Sequence, residues 1–167
     1  MAQKETLSSL TQGNFAKELS IADGKMPPNA VDFERLIIGT FLIDKKGLDH
    51  SIDLLTAEVF YDPRHQIIFS AILSLYEGNH PVDLMTVIQE LKKTDKLNSA
   101  GGDHYIIELT MGVSSSAHIE YHVRVILEKY ILRSLINVSA NVIDSSYKES
   151  TDVFELLDKA EQSFFEI

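Results

Sequence analysis

Phe60-Tyr61-Asp62-Pro63-Arg64-His65-Gln66-Ile67-Ile68-Phe69-Ser70-Ala71-Ile72-Leu73-Ser74-Leu75-Tyr76 is the most apolar well-signalled stretch of the chain. It carries its own start signal. The Asp62 carboxylate can accept from the free N–H groups of a first helical turn. Pro63 fits the first helical position, where its missing donor costs nothing. Ile67, Ile68, Ala71, Ile72 and Leu75 then recur at steps of three and four, a stripe that must be buried. Phe60 and Tyr61 precede the cap and can fold back on the second turn. The stretch predicts a central core helix with Phe60, Ile67, Ile68, Ala71 and Ile72 inside, and His65 as a hydrogen-bonded packing residue.

Outward from this helix, the signals remain helical. Glu77-Gly78-Asn79-His80-Pro81 stops it. Asp83 caps a helix over about 84–94, with Leu84, Val87, Ile88 and Leu91 on its apolar face. Leu97 reads as a buried anchor in the next loop. Gly101-Gly102 opens a short helix to about 111 that buries Tyr105, Ile106 and Leu109. Upstream, Asn29 reads as the cap of a helix over 30–43 carrying Val31, Leu36, Ile37 and Phe41. Its Gly39 costs about 1 kcal/mol relative to Ala and so implies close helix packing. Asp44-Lys45-Lys46-Gly47 reads as a turn, followed by a short helix near 48–54. Thr56 reads as the cap of one more turn, 57–60.

From Ala117 to about Tyr147 there is neither Gly nor Pro. The apolar residues of this predicted long helix fall on two sides. One line is Ile119, Val123, Ile126 or Leu127, Ile131, Leu135, Val138 and Val142. The other is Val125, Leu132, Ile136, Ile143 and Tyr147. A helix apolar on two sides needs two partners. After a turn at Glu149-Ser150-Thr151, a last helix starting at Asp152 carries Val153, Leu156, Leu157, Ala160, Phe164 and Ile167. It can serve as an antiparallel partner. Val125, Leu132, Ile136, Ile143, Tyr147, Leu156 and Phe164 therefore form a candidate self-association surface. The chain stops while that helix is still apolar, which reads as a piece of a longer protein.

Residues 1–26 are polar, and Leu7, Leu10, Phe15 and Leu19 give only a weak helical spacing. A mobile tail or loosely docked helix is expected, ended by Met26-Pro27-Pro28. The fold is thus predicted all-α: a tail (1–26), a compact helical head of five to six helices (27–112) and a long helical hairpin (113–167).

The totals restrict the chemistry. At 167 residues the chain can bury a core without staples. It has no cysteine, which excludes thiolate catalysis and Cys-ligated zinc. A net charge of −10 with scattered Lys and Arg argues against direct binding of nucleic acid by this chain. No run suits a signal peptide or membrane span, so a cytoplasmic protein is expected. The only Gly-Lys pair, Gly24-Lys25, is followed by Met26, and Leu19 stands where a P-loop needs its first glycine. His118 and His122 share a helix face at i, i+4, a weak zinc signal with no third ligand. Glu34, Arg35 and Glu108 read as solvated surface charges. Arg133, set among apolar neighbours, is expected to pair with a carboxylate. No catalytic constellation emerges; association does.

An ordered set of residues resembles the N-terminal domain of bacterial replicative helicases of the DnaB type. It comprises Pro28, Phe33-Glu34, Ile38-Gly39 and Phe41-Leu42, then Phe60-Tyr61, His65 and Ile68-Phe69, then Gly78, Pro81-Val82-Asp83-Leu84 and Thr86, then Leu91, Leu97, Gly101-Gly102 and Tyr105, and finally Tyr121, Val125, Glu128, Arg133, Leu135 and Ile136. The resemblance runs from about residue 27 to the end. It implies a non-enzymatic collar domain that pairs within a hexamer, as a trimer of dimers, and docks primase and, in some members, helicase loaders. ATP, Mg²⁺, the P-loop and the contacts to DNA would belong to a separate motor domain. The alternatives are a free-standing replication adaptor and a small metal-dependent enzyme built around His118 and His122.

Overall fold

The computed structural model describes residues 25–113, 116–148, 150 and 152–167. The expected tail up to residue 24, two residues of the 112–116 connector and two of the 149–151 turn lie outside them. Among the described residues there are seven α-helices and no strand. They are α1 (Val31–Ile43), α2 (Lys45–Ser51), α3 (Pro63–Glu77), α4 (Leu84–Lys93), α5 (Gly102–Met111), α6 (Ile119–Ser146) and α7 (Val153–Phe165). Single 3-10 turns at Ile52–Leu54 and Ala57–Val59 lead from α2 towards α3.

The chain forms two compact units. One is a head, Asn29–Tyr130; the other holds Ile131–Ile167 with the residues up to Pro28. In the head, Ile37, Ile38 and Phe41 of α1 meet Ile68, Phe69 and Ile72 of α3, Val87 and Leu91 of α4, and Ile106 and Leu109 of α5 in one buried cluster. Ile119, Val123 and Ile126 join it, so the first turns of the long helix belong to the head core. Phe60 is fully buried and its ring lies 4.9 Å from that of Phe69. Full burial of a phenyl ring stabilises by about 2–3 kcal/mol. Ile67, on the flank of the α3 stripe, is only half-buried, so the buried face is narrower than its spacing suggests.

Local chemistry explains most boundaries. The Asp62 carboxylate accepts from the N–H of Arg64 at 2.9 Å, and Pro63 occupies the first turn of α3. Asp83 accepts from Met85 and Thr86 while the Thr86 hydroxyl accepts from the Asp83 N–H, a reciprocal cap for α4. Gly101 and Gly102 have φ of +98° and +78°, backbone angles that a side chain disfavours. A Cβ on Gly39 would overlap the Leu109 carbonyl oxygen, so that glycine lets α1 lie directly on α5.

Three local expectations are corrected. The α1 cap position is Ala30, not Asn29, and no side chain caps it. Residues 44–47 are not a turn. Asp44 closes α1 through its N–H to Thr40 O, and its carboxylate caps α2 at Lys46 N, so one residue ends a helix and starts the next. Thr56 makes no side-chain cap, and the turn after it spans only Ala57–Val59.

Candidate functional site

Glu34 lies on the line Val31–Glu34–Ile38–Phe41 of α1, where an apolar residue is expected. It is 1% exposed. Its carboxylate accepts from the backbone N–H groups of Tyr61 (2.6 Å) and Asp62 (3.2 Å), and from His65 Nδ1 (2.7 Å). His65 is fully buried, and its Nε2 is 2.7 Å from the Tyr105 hydroxyl. With the proton on Nδ1, His65 donates to Glu34 and accepts from Tyr105, and every polar atom of the chain of bonds is satisfied. One buried carboxylate thereby ties α1 to the entry of α3, and the imidazole carries the connection to α5. The reading of Glu34 as a surface charge is overturned. Its signal was present: a carboxylate interrupting an apolar stripe at helical period must find donors elsewhere.

The rim of this cluster is exposed but internally matched. Arg64 lies with its guanidinium 4.1 Å from the Tyr105 ring centroid and forks onto Asp62, with Nε to Oδ1 at 3.1 Å and Nη2 to Oδ2 at 2.6 Å. Partial burial pushes the Asp62 carboxyl up, but the hydrogen bonds from Arg64 outweigh it and hold the group below its usual range. Burial likewise raises the Tyr105 phenol. Arg35 pairs with Glu108 at 2.8 Å. The chemistry of the cluster is that of a clamp.

His118 is exposed. His122 packs edge-on to Phe33, 5.3 Å between centroids, and burial, aided by His118, lowers its pKa. Among the described residues no group of three or more His, Asp or Glu can hold a metal ion. No described helix is long and apolar enough to cross a membrane.

The second unit offers a different surface. Within it Leu132, Ile136, Ile143 and Tyr147 of α6 remain exposed, Tyr147 at 86%. On α7 no side chain is buried; Phe164 is exposed, Leu156 is half-buried, and Phe154 and Phe165 stand 79% and 91% exposed. Val125, on the head side of α6, is half-buried. Of the signature residues, Phe60, His65, Ile68 and Phe69 lie in the core, Tyr61 is half-buried, and Pro81 and Asp83 are exposed. Arg133 is buried and donates from Nη1 to the Pro28 carbonyl at 2.9 Å. Beside it, Pro28, Leu132, Leu135, Ile136, Ser139, Ala140 and Ile143 line an open groove of about 350 Å³.

A helical head locked by a buried carboxylate and continued by a long helix with exposed apolar side chains defines an all-α helical domain. The family model for the DnaB-like helicase N-terminal domain matches residues 26–128, and the chain belongs to that family. It is 44% identical over 144 residues to the replicative DNA helicase DnaB of Rhodothermus marinus, covering 86% of this chain and 15% of that one. With the Geobacillus stearothermophilus DnaB helicase the identity is 33% over 143 residues, 86% of this chain and 32% of the relative. The chain thus spans a third or less of these relatives. The crystal structure of the N-terminal domain of DnaB helicase from Mycobacterium tuberculosis superposes with a TM-score of 0.80 at 30% identity, covering 85% of this chain and all of that one. A DnaB-like replicative helicase whose structure was described with its interactions with primase shares the fold, with a TM-score of 0.66 at 22% identity over 81% of this chain and 31% of that one.

Proposed function

We propose that this chain is the collar domain of a hexameric replicative DNA helicase of the bacterial cytoplasm: it holds copies together in pairs and presents a docking surface to primase and to helicase loaders. ATP with Mg²⁺, its hydrolysis and the grip on DNA belong to a motor domain of the parent protein. The observation that carries the reading is the open apolar surface of the second unit, with Leu132, Ile136, Ile143, Tyr147 and Phe164 all exposed. A monomeric soluble protein rarely leaves a large apolar patch in water, and these large apolar side chains are candidates for one. A second copy can cover it, since the same patch on two subunits makes a two-fold interface. The net charge of −10 leaves little basis for this chain to hold DNA by itself. The relative described with primase supports a protein partner.

Sedimentation velocity of the purified chain at micromolar concentration tests the pairing. The chain should sediment as a dimer or larger, and the double variant Tyr147→Asp, Phe164→Asp should shift it towards monomer. A wild-type chain that is monomeric at every concentration would overturn the pairing. Retention on immobilised primase C-terminal region at low salt tests the docking role separately, and no retention would remove it.

A further inference from the structure

We draw no further inference here: the strongest candidate, the apolar groove along α6 walled by Pro28, Leu132, Leu135, Ile136 and Ile143, belongs to the surface already proposed for pairing, and nothing in the structure shows what else covers it.

Discussion

His65 Nδ1 lies 2.7 Å from Oε2 of Glu34, and both side chains are withdrawn from solvent. A charge removed from water at this depth is tolerated only when its lone pairs are used. Here they are used by the imidazole and by two backbone N–H groups of the segment that enters α3. The pair is therefore a junction between α1 and α3, and its loss should be felt through the head.

Glu34→Ala should destabilise the domain by about 3–5 kcal/mol, the range for removing one member of a buried pair. The substitution leaves Tyr61 N, Asp62 N and His65 Nδ1 without their acceptor. His65→Phe keeps most of the volume but removes one of the three donors to Glu34 and the buried partner of the Tyr105 hydroxyl, and should cost less, about 1–3 kcal/mol. Urea unfolding followed by circular dichroism measures both. A loss below about 1 kcal/mol, the size of an ordinary surface change, would show that water replaces the bonds.

Gly39→Ala should destabilise by overpacking, at a cost of about 1–3 kcal/mol. The added methyl meets the Leu109 carbonyl oxygen and the Val113 side chain, so α1 and α5 must separate. The expected readout is a lower midpoint in thermal unfolding. An unchanged midpoint would mean that the two helices can slide apart freely.

Asp83→Ala should cost about 1 kcal/mol, the usual worth of an N-cap. It removes the acceptor for Met85 N and Thr86 N but touches nothing in the core. Asp83→Asn should recover most of the loss. Comparison of the three proteins in urea separates the cap from a general charge effect.

The elements whose signals are local were legible in the sequence. Asp62 with Pro63, and Asp83 with Thr86, name their helices because a cap acts on residues two or three positions away. Gly39 announced a close approach because an interior glycine is costly without one. The place of Glu34 in the apolar stripe of α1 signalled its burial, but its donors were not legible from that helix, since they lie 27 to 31 positions later. The start of α2 was hidden because Asp44 ends one helix and caps the next, which looks like a turn when read alone. The candidate surface was legible as two apolar stripes on α6, but a stripe states only that something must cover it.

The pH dependence of stability should contain a contribution from His122. Its burial against Phe33 places the folded pKa below the ordinary 6.5. The unfolded chain then takes up the proton first as the pH falls, so unfolding gains protons and stability rises with pH across this interval. The contribution is complete above about pH 7, given an unfolded value near 6.5, and is lost as the pH falls through 6.5 towards the folded pKa. His122→Gln should flatten this part of the profile without moving the carboxylate-driven loss below about pH 4, where Asp62 takes up its proton. Urea midpoints taken at intervals from pH 8 to pH 3 for both proteins check it, and parallel profiles throughout would mean that His122 keeps contact with water in the folded domain.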